Sequence, residues 1–464
     1  MRDAALERRY RARSLWLDGC PSVTPRPALD GDTEADVAIA GAGFTGLWAA
    51  YALAGLDPSL RIVVVEAEIA GYGASGRNAG FVSAGIAGEA RVFARERGRE
   101  AVERAERACI EAIDDVGRVV AAEGIECGWV KGGSLRIATS PAQWRRVQAG
   151  IDARRRRGIG QDDVWPLTAE EVQSRVRVAG VLGGTYTPHC ARVDPARLAR
   201  GLAEACERRG VQICERTAAR HIEPGRIVCD AGTVSAPVVL RATESYTTRL
   251  PGQARAYLPL FAHMLATEPL PDAVWDGIGW QGCETMADQH HLFHYAQRAA
   301  DGRIVFGGGT APYHLGGRIR ERDETPRTAM ARLEGGLRAW FPQAAAARIT
   351  HRWGGSFAVP RDWSMAVRFD PAIGLGMAGG YSGHGVIASH LAGRALADLV
   401  CGRETELTEM PWVGRRSPRW EPEPLRLVGA RSITATLRLA DLIEDRTGRT
   451  SRLPRLVARW TPSR

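Results

Sequence analysis

The 464-residue chain is 45% hydrophobic and 25% charged, the balance of a soluble globular protein with enough chain for two or three domains. Its formal net charge of +9 is almost wholly arginine, because Lys131 is the only lysine. The arginine run at 154–157 lacks interleaved aromatics and reads as a solvated face, which argues against a nucleic-acid partner, and no run of about eighteen apolar residues exists to cross a membrane.

Nine cysteines stand at 20, 109, 127, 190, 206, 214, 229, 283 and 401. None forms a Cys-x-x-Cys pair or stands with His at zinc spacing, so the reading is no disulfide framework, no metal site and a reducing cytoplasm. The charged N-terminus lacks the apolar stretch of a signal peptide. Residues 1–34 read as a polar lead-in with one apolar patch, Ser14-Leu15-Trp16-Leu17, followed by an extended segment held by Pro21, Pro25 and Pro27.

Residues 35–66 predict a β-α-β unit. Val37 to Ala40 suits a buried parallel strand, Phe44 to Ala54 a helix, and Ile62 to Val65 a second strand ending on Glu66. Between strand and helix, Gly41, Gly43 and Gly46 have the G-x-G-x-x-G spacing of a dinucleotide site. The helix N-terminus offers N–H groups to a pyrophosphate, and Glu66, twenty residues on, stands where a carboxylate accepts from a ribose. The fingerprint by itself leaves NAD and FAD both open.

The next segment, 67–85, is built from small residues, with Ser75, Arg77 and Asn78 as its polar members, and suits a chain running along a long bound cofactor. Residues 89–122 predict one long or two shorter amphipathic helices, 129–139 a strand-turn-strand, 141–158 a helix and 180–188 a β region. Thr168 with Glu171 reads as a capping box, and Asp194-Pro195 as the start of a helix reaching about Arg209. Strands follow at 211–214 and 238–243, with a hairpin at 227–236 between them. Residues 255–310 carry a β pattern at 257–267, 277–280, 292–296 and 303–309, a second and largely antiparallel sheet. A helix at 325–340 and a strand at 349–358 lead to a second strand, glycine turn and helix. These are Ile373–Ala378, then Gly379, Gly380, Gly383 and Gly385, then Val386 to Val400. Residues 413–464 read as a surface extension, amphipathic at about 429–446. The small-residue run and the distant second glycine turn narrow the cofactor to FAD.

Strict alternation would put His290 and Leu292 on one face of a strand and His291 and Phe293 on the other, so the histidines cannot all line one pocket. No nearby carboxylate at metal spacing is evident from the sequence.

The motifs G-A-G-F-T-G, V-V-V-E-A, G-A-S-G-R-N-A-G-F, R-V-D-P, A-T-E-S-Y-T, D-G-R-I-V-F-G-G, W-G-G and G-G-Y-S-G-H-G-V together resemble the FAD-dependent amine and amino-acid oxidases. That group includes D-amino-acid, glycine and sarcosine oxidases, and the pattern is most similar to its gamma-glutamylputrescine oxidase branch. The resemblance covers about residues 14–455. It implies an α/β fold, with an FAD-binding Rossmann-like domain from 30–100, 190–250 and 345–405. Interleaved with it is an α+β substrate domain from 101–189 and 251–344, and 406–464 is a C-terminal extension. The implied cofactor-binding residues are Gly41, Ala42, Gly43, Phe44, Thr45, Gly46, Glu66, Ala67, Ala74, Ser75, Arg77, Asn78, Ala79, Gly80 and Thr243, with Gly380, Tyr381, Gly383, His384 and Gly385 from the second turn. The segment 67–88 has no His or Cys, so FAD is expected to be non-covalent. Glu244, Pro360 and Met365 depart from the family pattern near the expected flavin.

The implied reaction oxidises a C–N bond of a primary or secondary amine or an amino acid. Hydride passes to flavin N5, the imine is hydrolysed, and O2 takes the electrons as H2O2. Tyr381, His384 and His294 are the candidate catalytic residues, with His263, His291 and Tyr295 as further substrate-side candidates. Two other readings are an FAD-dependent dehydrogenase or biosynthetic tailoring oxidase with another acceptor or a natural-product amine, and a flavin-binding scaffold of impaired activity.

Overall fold

The computed structural model describes residues 2–156, 158–309, 311–458 and 460; Arg157 of the arginine run lies outside them. The fingerprint unit forms as the pattern predicts. Val37–Ala40 and Ile62–Val65 are fully buried parallel neighbours in a six-stranded sheet, and Phe44–Leu56 is the helix between them. Across that sheet the strands run 366–370, 375–379, 238–241, 37–40, 62–65, 212–214, all parallel except the first pair. A four-stranded sheet made mainly of 219–235 covers one face. The other face carries the helices Phe44–Leu56, Arg99–Ala122, Pro195–Arg208 and Gly385–Val400.

An eight-stranded sheet stands beside it, in the order 349–359, 258–267, 304–308, 294–298, 285–287, 134–138, 183–187, 165–168. Every neighbouring pair is antiparallel except 285–287 with 134–138. Alternation gives this sheet two faces. Trp353, Met264 and Tyr295 belong to the cluster that meets the N-terminal helices and Ala79. Leu265, Phe306 and Ala296 face the helix Arg327–Trp340.

Local capping follows the sequence. Thr168 and Glu171 make a reciprocal capping box, and Asp194 accepts from Ala196 N and Arg197 N above Pro195. Residues 89–122 divide into two helices, Ala90–Arg97 and Arg99–Ala122, at Gly98.

Five expectations are corrected. The lead-in is helical at Arg2–Arg11 and Leu15–Asp18, where Ser14 Oγ caps by accepting from Leu17 N. The stretch 277–280 is no strand: Asp272–Ile278 is a helix stopped by the left-handed Gly279. Before the strand Ser134–Ala138, Val130 makes only an isolated bridge to Arg192. Ile349–Val359, expected with the cofactor part, pairs along its length with Leu258–Thr267 in the antiparallel sheet. Strand geometry starts only at His294, so the 290–293 alternation does not arise. The amphipathic tail segment is the helix Leu425–Thr447. Among the described residues no helix is long and apolar enough to cross a membrane.

Candidate functional site

The two glycine turns lie at the same edge of the parallel sheet, at the ends of strands separated only by Val238–Arg241. Their helices cross tightly. A Cβ added at Gly393 would fall 2.6 Å from Trp48 Cβ and 2.7 Å from Ala49 N. That contact brings the start of Gly385–Val400 beside the start of Phe44–Leu56. Tyr381 and Thr45 then join the turns directly, hydroxyl to hydroxyl at 2.7 Å, with both side chains buried.

Steric demands make the first turn glycine-specific. Gly41 sits at φ +106°, and a Cβ on Gly46 would lie 1.9 Å from Gly41 O. Phe44 N donates to Ser75 Oγ at 2.8 Å, and the first intrahelical bond is Leu47 N to Gly43 O at 3.0 Å. The N–H groups of Thr45 and Gly46 precede that bond, as an anion-binding helix start requires. Glu66 ends its strand against this turn. Its carboxylate accepts from Ala42 N at 2.9 Å and Glu68 N at 3.0 Å, and burial raises its pKa to about 7.

The small-residue segment is held by four side chains from three distant places. Gly76 O accepts from Ser14 Oγ, Arg77 O from Trp353 Nε1, Asn78 O from Trp16 Nε1 and Ala79 O from Gln297 Nε2, at 3.1, 3.0, 2.8 and 2.6 Å. Two of its polar members also make bonds within the protein. Asn78 donates to Ala74 O and Ser75 O and accepts from Gly80 N. Arg77 is buried with Glu324 at 2.8 Å, donates to Gly354 O at 3.2 Å and Tyr246 Oη at 3.2 Å, and lies over the Tyr72 ring. Ala67 is exposed just past Glu66.

Thr243 lies two residues past the middle strand Val238–Arg241, and its Oγ1 bonds Thr247 Oγ1 at 2.8 Å. Glu244, at φ +44°, takes the left-handed conformation that asparagine tolerates better. Its carboxylate accepts from Gly380 N at 3.3 Å and Ala358 N at 3.4 Å and thereby ties the second glycine turn to the antiparallel sheet. Burial raises its pKa to about 7. Pro360 packs behind the same turn, where a Cβ on Gly380 would meet its Cγ at 2.6 Å, and Met365 is core.

A pH dependence follows. The fold favours the neutral form of Glu244, so its contribution is fully present below its ordinary pKa of 4.5 and is lost as pH rises through about 7. The loss is about 3 kcal/mol. Glu244→Gln keeps a carbonyl for Gly380 N and Ala358 N but cannot ionise. In thermal melts of the cofactor-stripped protein, the variant should match the wild type near pH 4.5 and exceed it increasingly toward pH 8. Parallel curves across that range would contradict this assignment.

The catalytic candidates separate. Tyr381 is buried at the junction of the turns, and His384 is exposed at the head of Gly385–Val400. His294 does not join them. Its ring stacks on Phe306 at 5.5 Å, and a Cβ on Gly336 of the outer helix would lie 3.4 Å from it, so it faces away from the glycine turns. His263 lies on Leu258–Thr267, two strands from that of His294, with its Nε2 3.2 Å from Asp323 O. Tyr295, on the opposite face, meets Phe81 of the small-residue segment edge-on at 6.0 Å. His291 hands its backbone N–H to Asp441 of the C-terminal helix. Carboxylates do stand near these histidines: Asp288 is only two residues before His290, and Asp441, Glu444 and Asp445 arrive from 150 residues away. Those last three, and Glu324 opposite Arg77, carried no signal in the local sequence.

The sequence profile of the family described as FAD dependent oxidoreductase (DAO) matches residues 36–399. The chain is 27% identical over 410 residues to the "Probable oxidoreductase OrdL" of Haemophilus influenzae, covering 85% of this chain and 90% of that one. It is 28% identical over 396 residues to the gamma-glutamylputrescine oxidoreductase of Escherichia coli, covering 84% and 89%. Glycine oxidase from Geobacillus kaustophilus superposes with a TM-score of 0.66 at 23% identity, covering 83% of this chain and 100% of that one, a likeness of fold. The glycine cradle, the helix start behind it and the carboxylate at the next strand end fit a dinucleotide such as FAD. With its fingerprint unit and second glycine turn both inside the matched region, the chain belongs to the family of FAD-dependent oxidoreductases.

Proposed function

We propose that the protein oxidises the C–N bond of a primary or secondary amine or an amino acid, with O2 as the electron acceptor and H2O2 as its product. The observation that carries this reading is the pairing of the two glycine turns through Thr45 and Tyr381, facing an antiparallel sheet. The relatives named as gamma-glutamylputrescine oxidoreductase and glycine oxidase support the substrate class. When bound, FAD supplies the two-electron acceptor, so that hydride leaves the substrate's α-carbon and the resulting imine is hydrolysed.

The chain's part is positioning. The N–H groups around Thr45 and Gly46 would hold the pyrophosphate, and Glu66 would accept from the adenosine ribose. The N-terminus of the helix Gly385–Val400, at the second glycine turn, would offer its positive end to negative charge developing on a bound flavin. Tyr381 fixes the second turn, His384 offers a cation or proton at its mouth, and Tyr295 with Phe81 walls the substrate space. Arg77 acts on the cofactor segment through Glu324 and Gly354 rather than by touching the substrate. Within this reading the cofactor part is 30–100, 190–250 and the portion after Val359, while Ile349–Val359 belongs to the substrate part. The nine unpaired cysteines, seven of them buried, suit a cytoplasmic setting.

The test is an anaerobic panel of amines and amino acids added to the yellow holoprotein. Bleaching by at least one member, and peroxide on re-aeration, is the expected result. Bleaching without peroxide would replace O2 by another acceptor. A holoprotein that no amine bleaches would overturn the amine reading.

A further inference from the structure

On the sheet face turned away from the glycine turns, a D-x-H-x-x-x-H sequence folds so that three ligand-type atoms converge. Asp288 Oδ2 lies 2.6 Å from His290 Nδ1 and 3.1 Å from His294 Nδ1, and the three atoms all lie within 4.8 Å of one another. We propose that Asp288, His290 and His294 bind a divalent transition-metal ion of the zinc type through these three atoms, with a fourth position for water.

The surroundings are those of a supported ligand set. The Asp288 side chain is fully buried, and its other oxygen accepts from His290 N at 3.1 Å and His294 N at 3.0 Å, which fixes the carboxylate and leaves Oδ2 for the cluster. His290 turns its far nitrogen, Nε2, to Asp445 Oδ1 at 3.0 Å, the carboxylate partner that sets the tautomer of a metal-bound imidazole. Stacking on Phe306 holds the His294 ring. Two imidazoles and one carboxylate match zinc and its neighbours rather than magnesium or calcium, which prefer all-oxygen shells. Donors about 2.0 Å from a tetrahedral zinc stand about 3.3 Å apart, so small side-chain rotations open the cluster to the required size.

The neighbouring group, His291 with Asp441 and Glu444, is differently used. Both Asp441 oxygens accept from backbone N–H groups of His291 and Leu292, and Glu444 pairs with Arg146 at 2.6 Å. Its acceptors are therefore occupied. Because Asp445 lies on the helix Leu425–Thr447, a metal at His290 would clamp that helix to the sheet.

The experiment uses tag-free holoprotein dialysed against Zn2+, Mg2+ or Ca2+, with bound metal measured by elemental mass spectrometry and stability by thermal melting. One zinc per chain and a raised Tm are expected, with no effect from magnesium or calcium. His294→Asn should weaken zinc binding at least tenfold. Asp445→Asn, at a half-exposed position that keeps the fold, should weaken it roughly tenfold. Asp441→Asn should leave zinc affinity within about twofold. Hydrogen exchange in 425–447 should slow when zinc is added to the wild type and not to the Asp445 variant. Wild-type protein that retains no zinc, or Asp445→Asn and His294→Asn variants that retain it as well as the wild type does, would overturn the site. So would equal retention of magnesium.

Discussion

Gly46→Ala should produce a protein that does not retain FAD. The added Cβ would lie 1.9 Å from Gly41 O, far inside contact, and a methyl group has no rotamer by which to escape. Gly41 cannot yield either. Its N–H donates to Val65 O at 2.8 Å, and behind it Ala242 O would stand 2.6 Å from any Cβ it carried. The helix start must therefore move off the strand, which takes the Thr45 and Gly46 N–H groups away from the phosphate position and strains the Thr45–Tyr381 bond. Overpacking of this kind costs about 3 kcal/mol. Applied to a site formed only in the undistorted state, that is roughly a 100-fold loss of cofactor affinity. The control is Gly429→Ala in the helix Leu425–Thr447, where a Cβ meets nothing within 4 Å. It should be neutral, or more stable by about 1 kcal/mol through helix propensity. Flavin absorbance after desalting, followed by titration with FAD, reads both variants. Wild-type retention by Gly46→Ala would refute the cradle.

What could be read from the sequence was what is local. The fingerprint, its two strands and the caps at Thr168 and Asp194 each depend on residues within a few positions, and each formed as the pattern predicts. The second glycine turn was legible for the same reason. The segment between them was legible only as small and backbone-rich. Its shape comes from Ser14, Trp16, Gln297 and Trp353, which grip four successive carbonyls from positions up to 276 residues away. Nothing in the segment encodes those partners, or the bonds that Arg77 and Asn78 make within the protein. The histidines have the same character. Alternation describes a straight strand, whereas here the chain turns around Asp288, whose carboxylate, two residues before His290, accepts from His290 N. For Ile349–Val359, neighbours in sequence suggested one layer and a ten-pair ladder to Leu258–Thr267 put it in the other.

Arg77 is where these long-range contacts can be tested as a unit. The guanidinium is fully buried between the cofactor segment and the antiparallel sheet, with Glu324, Gly354 O and Tyr246 as its partners. Arg77→Met should cost about 3–5 kcal/mol, because it strands the Glu324 carboxylate, whose remaining cation is the partly exposed Arg13 at 3.3 Å. Arg77→Lys keeps the charge but loses the fork, and should fall between wild type and Met. The decisive variant is the double change, Arg77→Met with Glu324→Leu. If Arg77 acts through its ion pair, replacing both charges by apolar groups of similar volume should recover most of the lost stability and, with it, FAD retention. If Arg77 instead holds the cofactor directly, the double variant regains stability and still loses FAD. Denaturant unfolding and flavin retention, measured on the four proteins side by side, separate the two roles. An Arg77→Met protein that stays within about 1 kcal/mol of wild type and still retains FAD would remove Arg77 from both.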